Sequence, residues 1–296
     1  MPSAQLVTAE VLGDRVRADS DAPVPWWSFA KTVLAVAALV LVAERRLRLD
    51  QRLPGKPFTL RQVLQHTAGL RCYGTCGAYH AAVARGDRPW APADMLRRVD
   101  ADVLDFEPGH GWAYSNVGYF LVRTLIEDAT GSALGPALQR LAFAPLGIAG
   151  VSVAQVPADL DATAWGNQQG YDPGWVYHGL LIGPPAAAAL FLHRLLAGEL
   201  LSVALLAEMR RAHPVGGALP GRPWQTATYG LGLMIGGGVP QGEYVGHTGG
   251  GPGSVSAVYQ RDASGEERAP VTAAAFAPVD DPGAVERCAF ERAAGG

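Results

Sequence analysis

Three short stretches place reactive or hydrogen-bonding side chains beside breaks in the chain. In the first, Ser28-Phe29-Ala30-Lys31, a hydroxyl and an amine lie three residues apart, and on a helix that spacing puts both on one face. A serine hydroxyl is a weak nucleophile until a base takes its proton, and a lysine does so once its pKa is lowered by burial or a neighbouring cation. Trp26 and Trp27 before the pair and the apolar run Thr32 to Ala43 after it supply such surroundings. Alone, the pair reads more simply as a helix-start serine and a lysine whose stem lies along the surface.

The second stretch, Tyr114-Ser115-Asn116, follows Glu107-Pro108-Gly109 and leads into a helical pattern. A phenol and a carboxamide two residues apart can face one cleft from a loop. Tyr114 would exchange a proton with a nucleophile or leaving group, and Asn116 would donate to and accept from a substrate amide. The plainer reading makes Asn116 the cap of the next helix and Tyr114 a core residue. The third stretch, His247-Thr248-Gly249-Gly250, ends a strand pattern inside a glycine-rich run reaching Gly253. Small residues on an edge strand let a substrate backbone use its free N–H groups. A cationic or hydrogen-bonding residue at its start steers a carboxylate or polarises a carbonyl. Its plainer reading is a glycine loop beside a surface histidine.

These stretches need a scaffold. Leu6 to Val11 and Val16 to Ala18, around Gly13-Asp14, read as a hairpin. Thr32 to Ala43 reads as a helix apolar all round, too short for a membrane span of about 20 residues. From about Leu49 to Pro223 the pattern is helical, at Thr59 to Gln65, Ala91 to Val99, Asn116 to Ala129, Pro185 to Leu196 and Ser202 to Arg211. Beyond Thr226, Tyr229 to Ile235, Glu243 to His247, Ser254 to Arg261 and Val271 to Phe276 read as strands of an antiparallel meander, and Pro282 to Ala294 as a helix. The expected fold class is α+β, an α/β sandwich. Its antiparallel sheet comes from the N- and C-terminal segments, flanked by helices, with an inserted, mostly helical domain. Residues 1–50 with 225–296 would form the sheet domain, and residues 51–224 the helical domain.

The chain of 296 residues carries 24 Lys and Arg against 27 Asp and Glu, without the basic excess of a nucleic-acid module. Of three cysteines, Cys72, Cys76 and Cys288, one must stay unpaired within the chain, so a disulfide framework is not expected. Cys72, Cys76 and His80 recur at intervals of four with His66 nearby. Gly74 and Gly77 oppose a helix there, and the Cys-x-x-Cys spacing is absent, so no metal is expected. No Gly-x-Ser-x-Gly occurs, since Gly253-Ser254-Val255-Ser256 lacks the second glycine, so the elbow of an α/β-hydrolase has no seat. The first twenty residues lack the basic start and apolar stretch of a secretory signal, which points to the cytoplasm; a periplasmic or secreted protein whose leader had been removed would read the same. Trp165, Tyr171, Trp175, Tyr177 and Trp224 are candidates to line a cleft, though aromatics more commonly fill a core. His178, His193 and His213 have no assigned role.

Taken in order, a Ser-x-x-Lys opening a buried helix, a Tyr-x-Asn on a loop and a Thr-Gly strand near the carboxyl end resemble the penicillin-recognising serine hydrolases. These are the class C β-lactamases, the DD-peptidases and the related esterases and D-amino-acid peptidases, whose allied signature is Ser-x-x-Lys, Ser-Asp-Asn and Lys-Thr-Gly. Leu47 to Asp50, Phe58 to Leu70, Phe106 to Gly109 leading to Tyr119, and Ala144 to Ile148 look like the matching stretches of that family. The resemblance is dense from Trp26 to about Gly150 and returns from Tyr229 to Gln260. It implies Ser28 as the acylated nucleophile, Lys31 as its activating amine and Tyr114 as the proton shuttle. Asn116 would hold the acyl side of the substrate. His247 would stand where many members have lysine, with Thr248 beside it and Gly249 leaving room for substrate. The N–H groups of Ser28 and Gly250 would form the oxyanion hole.

The implied function is a serine hydrolase acting through an acyl-enzyme on a small ester or amide, as an esterase, a D-amino-acid peptidase or DD-peptidase-like enzyme, or a weak β-lactamase. No metal or organic cofactor is implied, and no nucleic-acid or membrane partner. Histidine in place of the strand lysine argues against strong β-lactamase activity. Only 27 residues precede Ser28, fewer than is usual there, which would leave a sheet edge open to self-association as a homo-oligomer. Two readings compete: a non-catalytic module of the same fold that binds penicillin or peptidoglycan fragments, and an assembly protein using that sheet edge.

Overall fold

The apolar run after Lys31 forms helix α1 (Ala30–Ala43), with eleven of its fourteen residues buried. A helix with no polar stripe must be enclosed on all sides, and the rest of the chain is wrapped around this one. The computed structural model describes residues 6–167, 170–262 and 269–295. The other helices there are α2 (Leu60–Leu64), α3 (Gly77–Ala84), α4 (Pro92–Arg98), α5 (Asn116–Thr130), α6 (Leu134–Leu138), α7 (Pro157–Asp161), α8 (Pro185–Leu196), α9 (Val203–Arg210) and α10 (Pro282–Ala293). The strands are β1 (Val7–Leu12), β2 (Arg15–Ala18), β3 (Val24–Pro25), β4 (Ser152–Ala154), β5 (Leu180–Gly183), β6 (His213–Gly216), β7 (Ala227–Tyr229), β8 (Met234–Gly238), β9 (Gly242–Gly251), β10 (Ser254–Arg261) and β11 (Val271–Ala277).

Eight strands make one antiparallel sheet in the order β2-β1-β11-β10-β9-β8-β7-β6. The two ends of the chain meet in it, with Val7 opposite Phe276 and Leu12 opposite Val271, as the α+β reading expects. Helices α1 and α8 cover one face, packing with Val245, Val258, Ala274 and Phe276. Helix α10 covers the other, packing with Tyr244, Ala257, Tyr259 and Ala275. Strand β11 is buried throughout because it carries helices on both faces. Successive residues of a strand point to opposite faces, so along β9 the odd-numbered residues look toward α1 and the even-numbered toward α10.

Three local departures from the sequence reading have identifiable causes. The expected strand Tyr229 to Ile235 is instead the end of β7, a turn over residues 230–233 and the start of β8. The Gly230 N–H bonds the Leu233 carbonyl at 2.8 Å, and Gly232 takes φ +76°, a left-handed conformation that favours glycine. Thr32 Oγ1 donates to the Gly232 carbonyl at 2.7 Å, tying this turn to α1 one residue past Lys31. The glycine-rich stretch after His247 is not a loop: β9 runs on through Gly251. A second sheet, β3-β5-β4, has strands of only two to four residues, too short to leave a periodic signal.

Candidate active site

Ser28 lies on a single 3-10 turn, Trp27–Phe29, that runs straight into α1. Trp27 takes φ +44°, a conformation that costs a bulky residue about 1–3 kcal/mol and persists only when the surroundings fix it. They do. The indole Nε1 donates to Ser254 Oγ at 2.8 Å, and the ring packs edge-on against Tyr171 at 5.7 Å. Gly249 completes the clamp, since a Cβ there would stand 2.3 Å from the Ser28 nitrogen and 2.7 Å from Trp27 Cβ. The bend leaves Ser28 partly exposed while Phe29, Ala30 and Lys31 are buried.

One turn on, the Lys31 Nζ lies 3.1 Å from Ser28 Oγ. Lys31 is fully buried, and burial pushes its amine down from 10.5 to about 7, opposed by the thiol of Cys72. Near neutral pH a large share of Lys31 is therefore a free amine able to accept a proton. Tyr114 comes from the loop before α5, and its hydroxyl faces Ser28 closely enough to interact with it. Burial pushes this phenol above its ordinary range, with the neighbouring Ser28 hydroxyl opposing, so Tyr114 keeps its proton at neutral pH. The Lys31 Nζ stands 5.0 Å from the centre of the Tyr114 ring. The serine, the amine and the phenol thus meet although Tyr114 is far from the other two in sequence.

The Tyr114 loop is held from two sides. Ser115 caps α5, accepting from the Gly118 N–H at 3.1 Å and donating to the Arg71 carbonyl at 2.8 Å, so the cap is Ser115 and not Asn116. Buried His66 accepts the Ser115 N–H on Nδ1 at 3.1 Å, and its ring packs on Tyr114 with centroids 4.3 Å apart. Asn116 is the first residue of α5, its N–H directed at Cys72 Sγ at 3.3 Å. Its buried Oδ1 has no hydrogen-bond partner among the described residues, an acceptor available to a substrate N–H.

The His247 stretch departs from the roles expected of it. His247 faces the site but is buried. Its Nδ1 donates to the Thr248 carbonyl at 2.6 Å and its Nε2 accepts from Tyr229 at 2.8 Å. Burial, then the charge of Lys31, pushes the imidazole down to about 3, so it is neutral and both nitrogens are engaged. It holds the Tyr229 side of the site and is no cation for a substrate carboxylate. Thr248, next along the strand, points to the opposite face. Its hydroxyl bonds Tyr259 at 2.6 Å and the carboxylate of Glu286 on α10. Glu286 is fully buried and takes a guanidinium fork from Arg222 and the Trp224 indole N–H at 3.1 Å. The space that a side chain at Gly249 would need is filled by the Ser28 backbone, Trp27 and Ser256, so the glycine lets the Ser28 turn pack against the strand. Gly250 is exposed and a Cβ there would meet only Val255. Because β8 begins at Met234 opposite Gly246, residues 247–251 carry no strand on that side among the described residues.

Other candidates are scattered. Tyr171 and Trp165 line a small hollow beside Trp27. Tyr171 and Trp175 line a cavity of about 340 Å³ with Asp87 and Pro252. Tyr177 lines one of about 550 Å³ with Trp90 and Arg123, and Trp224 packs under α10 against Phe290. Cys72, Cys76 and Cys288 are free thiols. His80 is bonded to the Gly74 carbonyl at 2.8 Å, and no group of three or more metal-ligating side chains occurs among the described residues. No helix among them is long and apolar enough to cross a membrane. His178, given no role from sequence, is in contact with Lys31, its Nε2 lying 3.2 Å from the amine.

Residues 4–288 match the family model described as Beta-lactamase, and the chain belongs to that family. It is 32% identical over 114 residues to a penicillin-binding protein of Bacillus subtilis (strain 168), a match covering 34% of this chain and 23% of that protein. It is 31% identical over 141 residues to esterase EstB of Burkholderia gladioli, covering 41% of this chain and 36% of the esterase. These matches thus span roughly a quarter to a third of the relatives' own lengths. Among solved structures, a D-stereospecific amidohydrolase from Streptomyces sp. superposes with a TM-score of 0.81 at 26% identity, covering 97% of this chain and 93% of that one.

Proposed function

We propose that this protein is a serine hydrolase that works through an acyl-enzyme on a small ester or amide. The observation that carries the reading is the meeting of Ser28, a Lys31 amine tuned to about neutrality, and a protonated Tyr114. In acylation the Ser28 oxygen bonds to the substrate carbonyl carbon while its proton passes to the Lys31 amine. The carbonyl electrons move to oxygen, where the N–H groups of Ser28 and Gly250 would receive the charge; one such donor is typically worth about 100- to 1000-fold in rate. As the oxyanion collapses, the bond to the leaving group breaks and Tyr114 protonates that group, recovering a proton from Lys31. Water then repeats the exchange on the ester and releases the acid.

Asn116, with its free acceptor, would take the substrate's acyl-side N–H. In this reading residues 1–50 and 225–296 supply the nucleophile and the strand, and residues 51–224 supply Tyr114 and Asn116. The names of the relatives, an esterase and a D-stereospecific amidohydrolase among them, support small esters and D-amino-acid amides as first substrates. Neutral, engaged His247 offers no cation for the carboxylate of a penicillin, so a β-lactam is expected to acylate slowly. The test is a panel of p-nitrophenyl esters, D- and L-amino-acid amides and a penicillin. Ester and D-amide hydrolysis above penicillin turnover fits; wild-type protein inert on the whole panel overturns the reading.

A further inference from the structure

His178 lies two residues before β5 and is buried. Its two ring nitrogens face different partners: Nε2 stands 3.2 Å from the Lys31 amine, and Nδ1 stands 3.4 Å from the Tyr73 hydroxyl. An imidazolium here would set a second cation against Lys31, and burial with the charges of Lys31 and Arg123 holds His178 well below its ordinary range. The ring is therefore neutral, with one donor and one acceptor.

The choice of tautomer decides what Lys31 can do. A neutral amine has two hydrogens and one lone pair. If Nε2 carried the ring proton, it would occupy that lone pair and the amine could not take the proton of Ser28. With the ring proton on Nδ1, donated to the Tyr73 oxygen, Nε2 accepts a hydrogen from Lys31 in both of its protonation states. The lone pair is then left for Ser28 Oγ, 3.1 Å away. We infer that His178 is a positioning residue, which takes one Lys31 hydrogen on Nε2 and so aims the amine's lone pair at Ser28. Tyr73 offers its oxygen to the Nδ1 proton of the tautomer that allows this.

The inference rests on Lys31 acting as the base in the proposed hydrolysis. Around the amine stand Ser28, Cys72, Tyr114 and Tyr119, with His66 and His247 beyond. Arg123 of α5 faces His178. Of these, His178 is the one whose ring nitrogen lies within hydrogen-bond distance of Nζ.

The test compares wild type, His178→Phe, His178→Gln and Tyr73→Phe on p-nitrophenyl acetate across pH, with labelling by a fluorophosphonate and near-UV circular dichroism alongside. In wild type, kcat/KM rises with pH through about 7 as Lys31 loses its proton. Phenylalanine removes the acceptor that stabilises the ammonium, so the rise shifts to lower pH by about one unit, while the plateau kcat falls at least about tenfold and KM holds. Glutamine offers an oxygen at the Nε2 position and recovers most of both. Tyr73→Phe frees the other tautomer and lowers the plateau without moving KM.

A His178→Phe protein with the wild-type pH profile and plateau overturns the inference, as does a glutamine variant as impaired as the phenylalanine one, which would mark a packing role. Should His178→Phe fail to fold, a wild-type plateau in Tyr73→Phe overturns it as well. Wild-type protein that resists the fluorophosphonate overturns the hydrolase reading itself. Labelled wild type with unaffected His178 variants overturns only the role of His178.

Discussion

Replacing Lys31 by methionine should abolish hydrolysis and stabilise the fold, and the stabilisation should depend on pH in a defined way. The amine titrates at 10.5 when unfolded and at about 7 in its buried site, a difference worth about 5 kcal/mol against the ammonium at about 1.4 kcal/mol per pH unit. Between those values the unfolded chain binds the Lys31 proton and the folded chain does not, so wild-type stability rises with pH across that window. The penalty is full below about pH 7 and gone above 10.5. Methionine matches the stem's volume and removes the titration. Near pH 7 it gains about 4 kcal/mol from the relieved penalty, less about 1–3 kcal/mol for the partners left at His178 and Ser28. That second quantity is nearly independent of pH. The advantage of Lys31→Met should therefore shrink by about 2 kcal/mol between about pH 7 and pH 9. Urea denaturation of both proteins at several pH values measures it. A difference that stays constant from about pH 6 to pH 9 would show that Lys31 is an ordinary ammonium in the fold, and the base would have to be sought elsewhere.

Three further outcomes follow from the same geometry. Tyr114→Phe keeps the ring that packs on His66 but removes the hydroxyl that faces Ser28; turnover of an ester should fall about 100- to 10,000-fold with the fold intact, and a loss under tenfold would exclude Tyr114 from proton transfer. Gly249→Ala drives a methyl into the Ser28 nitrogen, so fluorophosphonate labelling should fall more than the melting temperature; unimpaired labelling would show the clamp to be slack. Thr248→Val deprives Glu286 of a donor on the face away from Ser28, costing about 1–3 kcal/mol of stability. Acylation should stay within a few-fold of wild type, whereas a large loss would restore Thr248 to the substrate side.

The chemistry of this chain was legible where it lies within a few residues. Ser28 and Lys31 are placed by helical spacing, and Tyr114 by the loop that the capped helix α5 must follow. The N- and C-terminal strands were legible because their apolar runs are bounded by glycine. What escaped depends on contacts across long separations. His178 reaches Lys31 over 147 residues of sequence, and nothing in the neighbourhood of Val176 to Gly179 marks a histidine that will face an amine. Period-two alternation does put His247 and Thr248 on opposite faces. Which face sees Ser28 is settled by α10, whose buried Glu286 captures Thr248. The glycines of the same stretch suggested room for a ligand, but at Gly249 the neighbour that needs the space is the chain itself.

Mass mapping after reaction with a fluorophosphonate tests the nucleophile most directly. The protein should gain one adduct, carried by the peptide containing Ser28, with a rate that rises through about pH 7, and Ser28→Ala should gain none. An adduct on any other residue, or equal labelling of the Ser28→Ala protein, would contradict the account.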